Sequence, residues 1–173
     1  MLAAQERAMT FEEFFRREYP RLVPMLRALT ADLQRAEDLA QDALWKAHQD
    51  WERISRYDRP GAWVRRVALN ASANVHRRQQ RERLALTRIG TAAGAGQERV
   101  DELPTEDAEL WRHVRALPDQ QRFAIVLHYV EDRSVAEIAH VLECSDGAVK
   151  THLSRGRAAL ARALGTTPTE ASS

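Results

Sequence analysis

The chain has 173 residues, of which 44% are hydrophobic and 29% charged, with a formal net charge of +1. That balance describes a globular protein and excludes a membrane span, since no run of about 18 apolar residues occurs; a 6% aromatic share suits small helical cores rather than one large core. A single cysteine, Cys144, excludes an intrachain disulfide and a cysteine-rich zinc site, and with an N-terminus too polar for a signal peptide it leads us to expect a cytoplasmic protein in which Cys144 is a buried apolar filler.

After a tail over residues 1–9, Phe11, Phe14, Phe15, Tyr19, Leu22, Leu26 and Leu29 recur three or four apart and predict a helix. Pro20 and Pro24 lack backbone donors, so a kink or a restart is expected there. A second helix is expected from an N-cap at Asp32 to His48, with Ala36, Leu39, Ala40, Ala43, Leu44 and Ala47 inward and Asp38, Gln41, Asp42, Trp45 and Lys46 outward. Residues 50–59 break the period and read as a loop or short turn carrying Trp51 and Tyr57. Pro60 suits the first turn of a long helix reaching about Arg83, with Trp63, Val67, Ala71 and Val75 inside and arginine on the other face.

Between residues 88 and 107 the periodicity is lost while three glycines, a proline and several acids appear, which reads as a flexible linker. Charge is segregated across it. Residues 61–88 hold seven arginines against Glu82, whereas residues 98–109 hold six acids against Arg99. A polyanion-binding face is therefore possible on a nearly neutral chain. Periodicity then resumes through Leu110, Val114 and Leu117, a helix opened by Pro118, and two further helices, before a polar tail over 166–173. No strand-like alternation appears. The expected fold class is all-α, with two small helical domains at 10–82 and 109–165 joined by a linker at 83–108.

The last two helices form a candidate helix-turn-helix. Ser134 can cap Val135–Leu142, and after a turn of Glu143, Cys144 and Ser145 the second helix begins, capped by Ser145. Ala139 permits close approach, and Ile138, Leu142, Val149 and Leu153 supply the apolar faces. Lys150, Thr151, Ser154, Arg155 and Arg157 then point away from that core, where a helix could place them in a major groove against guanine acceptors and phosphates. An ordinary helical hairpin with a solvated polar face gives the same pattern, its basic residues favoured by the helix dipole. Glu143 stands where such turns favour glycine, because the position often needs positive φ.

Taken together, the segment Ala36 to His48, the segment Pro60 to Asn70 with the arginines after it, and Leu117 to Arg122 leading to Gly147 to Arg157 resemble the extracytoplasmic-function group of bacterial RNA polymerase sigma factors. The resemblance implies a promoter-specificity subunit that docks on core polymerase, holds the minus-35 and minus-10 elements with separate domains, nucleates strand opening, and needs no catalytic residue, metal or cofactor. By position it implies Asp38, Leu39, Gln41, Asp42 and Trp45 for the polymerase clamp helices. For minus-10 DNA it implies Lys46, Ile54 and Asn70, with Asn74 nearby and Arg65, Arg66, Arg77 and Arg78 on phosphates. For minus-35 DNA it implies Lys150, Thr151, Ser154 and Arg155, with Arg122 and Arg157 on the backbone. The linker would thread toward the polymerase channel, and an anti-sigma factor is a further partner to consider. Trp51 and Trp63 read as core residues.

Two other readings use fewer of these features. A helix-turn-helix regulator acting on duplex DNA without polymerase accounts for residues 110–164 but leaves the second helix and the arginine helix unused. A protein-binding helical adaptor would make both basic helices accidental. An enzyme finds no support, because the six histidines show no metal-ligand spacing and no glycine-rich phosphate loop follows a strand.

Overall fold

A computed structural model describes residues 9–88 and 108–165 and shows eight helices there, with no strand. Helices α1 (Phe11–Thr30), α2 (Leu33–Gln49), α3 (Trp51–Ile54) and α4 (Pro60–Arg88) form the N-terminal half. Helices α5 (Ala108–Ala116), α6 (Asp119–Tyr129), α7 (Val135–Leu142) and α8 (Asp146–Ala163) form the C-terminal half. None of the described helices is long and apolar enough to cross a membrane.

Caps set most of the boundaries. Thr10 and Glu13 close a reciprocal capping box at the start of α1, Asp32 accepts the Arg35 amide at α2, and α1 ends on Ala31 in the left-handed region at φ 57°. The expected break at Pro20 and Pro24 does not restart α1, which is one helix of 20 residues. Both prolines lie on its exposed side, four residues apart, while Phe14, Leu22, Met25 and Leu26 on the other side are fully buried and hold the helix in place.

Helix α2 buries the six residues of its expected inner stripe. Helix α4 is rotated from expectation. It buries Val64, Arg65, Ala68, Leu69, Ser72 and Ala73, whereas Trp63, Val67, Ala71 and Val75 are only half-buried. The cause is packing on more than one side, for α4 meets α1 and α2 in its own half and α7 in the other. It also continues to Arg88, so 83–88 and Ala108 are helical; the rest of the expected linker, 89–107, lies outside the described residues, as do most of the two tails. Phe11, Phe14 and Trp51 form an aromatic cluster that seats α3 against α1, with centroid separations of 5.5 Å for Phe11–Trp51 and 4.8 Å for Phe14–Trp51.

Candidate nucleic-acid and polymerase interface

The helix-turn-helix forms with the expected boundaries. Ser134 and Glu137 make a capping box at α7, Ser145 accepts the Ala148 amide at α8, and Glu143 adopts φ 53°, ψ 47°, the left-handed conformation anticipated for the turn. Ile138, Ala139, Val149 and Leu153 are buried between the helices. Gly156 allows α8 to approach α6, because a Cβ there would come within 3.0 Å of Ile125 Cγ1. Cys144 is half-buried rather than buried, and burial followed by the nearby Asp146 carboxylate pushes its thiol up from the ordinary value.

On the outer face of α8, Lys150, Thr151, Ser154, Arg155 and Arg157 are all exposed. Thr151 Oγ1 donates to the Gly147 carbonyl at 2.9 Å. Lys150, Arg155 and Arg157 have no acidic partner among the described residues. Three unpaired cations on one helix keep their full charge for an external anion, which distinguishes this face from a solvated surface laced with ion pairs.

Arg122 is corrected from its expected place on the DNA backbone. It is 2% exposed, and its Nη1 donates to the carbonyls of Arg115 (2.9 Å) and Leu117 (3.3 Å) while Nη2 donates to Asp119 Oδ1 at 2.6 Å. The side chain thereby satisfies carbonyls at the C-terminal end of α5, a structural task.

Helix α4 presents the opposite picture to α8. Arg65 Nη1 donates to Glu18 Oε2 and Arg65 Nε to Glu131 Oε2, each at 2.6 Å, and all three side chains are 3–4% exposed. Arg66 pairs with Glu143, Arg77 with Asp119 at 2.6 Å, and Arg78 with Glu82 at 2.9 Å. Every arginine expected on minus-10 phosphates is thus held by a carboxylate, and Arg65 has no surface to offer DNA. Burial works to raise the Glu18 carboxyl, but the Arg65 guanidinium, with Arg17 beside it, outweighs burial and holds it below the usual range. Ile54 is a second correction. It is fully buried beneath α3 and cannot face an unwound strand in this arrangement. Asn70, Asn74 and Lys46 are exposed, Asn74 accepting from Arg77 Nη2 at 2.6 Å.

On α2, Asp38, Gln41, Asp42 and Trp45 are exposed, with Trp45 at 59%, whereas Leu39 is corrected to the core at 7%. Trp45 stacks on His48 and forms, with Phe11, Phe15, Tyr19, Gln41, Asp42 and Leu44, a shallow aromatic recess beside the acids. The apolar register of α1 had hinted at Phe11 and Phe15 but not at this juxtaposition. Sequence reasoning also missed Glu18, Glu131 and Asp119. Glu18 had a detectable signal, since it interrupts the apolar stripe between Phe14 and Leu22; Glu131 and Asp119 had none.

Comparison with known proteins decides the family. The Sigma-70 region 2 model matches residues 14–82 and the Sigma-70, region 4 model residues 107–160. The ECF RNA polymerase sigma factor SigM of Mycobacterium tuberculosis is 32% identical over 157 residues, covering 90% of this chain and 77% of that protein. The chain belongs to the ECF sigma factors. SigW of Bacillus subtilis, another such sigma factor, is 27% identical over 79% of each chain. Among solved structures, the sigma factor RpoE of Bartonella quintana in complex with the anti-sigma factor NepR superposes with a TM-score of 0.65 at 23% identity, covering 90% of this chain and 96% of that one. CnrH in complex with the cytosolic domain of CnrY gives 0.62 at 24% identity over 90% and 87%. This sigma factor is therefore a transcription initiation factor built from a region 2 domain and a region 4 domain, and the regulator reading that dispenses with polymerase is not favoured.

Proposed function

We propose that the sigma factor divides its work among three surfaces. Asp38, Gln41, Asp42 and Trp45 on α2 dock on a basic helical element of core polymerase; Lys150, Thr151, Ser154 and Arg155 on α8, with Arg157 on the backbone, hold the minus-35 element; and Lys46, Asn70 and Asn74, with Arg66, Arg77 and Arg78, meet minus-10 DNA. The observation that carries this partition is the contrast in pairing. The α8 cations have no acidic partner among the described residues, whereas α2 exposes acids beside an aromatic recess, a surface repelled by DNA and suited to a basic protein. In this reading the chain has no catalytic residue and the chemistry stays with polymerase. An anti-sigma factor is a further partner in this reading, since the structurally similar RpoE of Bartonella quintana was crystallised with the anti-sigma factor NepR.

Two substitutions test the partition. Arg155→Ala weakens binding of a minus-35 duplex by roughly 1 to 3 kcal/mol if it pairs with a base, with core affinity unchanged. Asp42→Ala lowers affinity for purified core polymerase and leaves duplex binding intact. Exchange of the two effects would overturn the assignment.

A further inference from the structure

A recess of about 440 Å³ opens where the end of α1, the start of α2, α4 from Ser72 onward and α5 come together. Arg35 of α2, Arg83 of α4, and Arg112 and Arg115 of α5 line it, with His76 beside them, and no carboxylate lines it among the described residues. That sets it apart from its neighbours. The cleft lined by Trp63 and Cys144 holds Asp58, Glu143 and Asp146, the recess beside Glu18 holds Asp58 and Glu137, and the aromatic recess at Trp45 holds Asp42. We propose that the arginine recess is a binding site for a small diphosphate anion of the nucleoside diphosphate class.

The pairing geometry supports an anion there. Elsewhere in the fold Arg65, Arg77 and Arg122 meet carboxylates at 2.6 Å. Here Arg35 Nε lies 3.8 Å from Asp32 Oδ2, and Arg112 Nη2 lies 3.4 Å from Glu109 Oε1. Both separations exceed the roughly 2.7 to 2.9 Å of a charge-assisted hydrogen bond. Asp32 is also committed to the backbone, since its Oδ1 accepts the Arg35 amide at 3.1 Å. Helix dipoles do not supply the missing negative charge. The C-terminal end of α1 and the N-terminal end of α2 meet at the recess, and each carries about half a charge, of opposite sign. Guanidinium groups gathered in one recess repel one another, and an anion seated between them removes that repulsion.

The chemistry of the wall selects the class. A guanidinium presents parallel N–H donors that match two oxygens of one phosphate, so several arginines converging from three helices suit a compact pair of phosphates. Duplex DNA instead spreads its phosphates along a rod. The remaining wall suits a nucleoside: Leu29 and Val75 are apolar, and the Gln79 amide can both donate to and accept from a base edge. The volume falls within the roughly 300 to 1,000 Å³ of small-molecule sites, with space beyond a diphosphate alone. None of the residues assigned above to polymerase or to promoter DNA lines the recess, so the site stands apart from that partition.

Isothermal titration calorimetry on the full chain at fixed ionic strength tests the site, with ADP, GDP, inorganic pyrophosphate and sulfate as probes. The wild type should bind at least one of the two nucleotides more tightly than pyrophosphate, and sulfate more weakly than either. Arg35→Gln and Arg112→Gln should each weaken nucleotide binding about tenfold or more, the loss expected for a hydrogen bond to a charged group. Arg16→Gln is the control, because Arg16 is exposed near the other end of α1 and pairs only with Glu12 among the described residues. The Arg112 side chain is 69% exposed, so its variant keeps the test valid if Arg35→Gln does not fold. Absence of nucleotide binding, or an equal loss in all three variants, overturns the site. Pyrophosphate binding as tightly as both nucleotides overturns the nucleoside assignment. Duplex binding that falls in Arg35→Gln and Arg112→Gln, with no nucleotide bound by the wild type, would give the recess to DNA and overturn the proposal.

Discussion

Glu143 stands at the junction of two effects of opposite sign, which a pair of substitutions can separate. At φ 53° its backbone is in the left-handed region, where a residue with a Cβ is less stable than glycine by roughly 1 to 2 kcal/mol. Its carboxylate also pairs with Arg66, but the Glu143 side chain is 68% exposed, and an ion pair of that kind contributes about 0 to 1 kcal/mol. Glu143→Gln removes the pair and keeps the strain; Glu143→Gly removes both. The glycine variant should therefore be more stable than the glutamine variant by about 1 kcal/mol, or roughly 2 to 4 °C in melting temperature for a chain of this size. Urea titration followed by circular dichroism measures the difference. A glycine variant no more stable than the glutamine variant would refute the claim that the turn between α7 and α8 is strained.

Ile54→Ala should destabilise the N-terminal half by about 2 to 5 kcal/mol, because the side chain is fully buried beneath α3. An unchanged urea midpoint would return Ile54 to the surface as a DNA contact. Glu137 predicts a pH dependence. The Ser134 amide, then the Arg133 guanidinium, pull its carboxyl from 4.5 to about 2. A carboxylate depressed on folding stabilises the native state above its unfolded value and loses that contribution as pH falls from about 4.5 toward 2. Melting curves between pH 5 and 2 should fall more steeply for the wild type than for Glu137→Gln, and parallel curves would contradict the capping-box assignment.

Local signals were legible in the sequence wherever one residue type answers one backbone need. Ser134, Ser145 and Asp32 cap the helices they were expected to cap, Pro60 opens α4, and the left-handed turn at Glu143 followed from the three-residue spacing between α7 and α8. The inner face of α2 was legible because that helix has one buried side. Helix α4 was not, because it packs against both halves and its apolar residues spread around the circumference, so periodicity selected Trp63 and Val67 over Val64 and Ala68. Arginine misled for the same reason. Arg65 and Arg122 were expected on phosphates by their charge, yet one is neutralised by Glu18 and Glu131 and the other by Asp119 and two carbonyls, partners from 3 to 66 residues away. No pattern along one helix reports a partner on another. The α8 cations Lys150, Arg155 and Arg157 are exposed and meet no acidic partner among the described residues.

Run-off transcription with purified core polymerase tests the central claim most directly. Added to core on a template bearing its cognate promoter, the sigma factor should support a promoter-dependent transcript, reduced by Arg155→Ala through the minus-35 element and by Asp42→Ala through core binding. A transcript unaffected by both substitutions would contradict the surface assignments, and the absence of any sigma-dependent transcript would contradict the account as a whole.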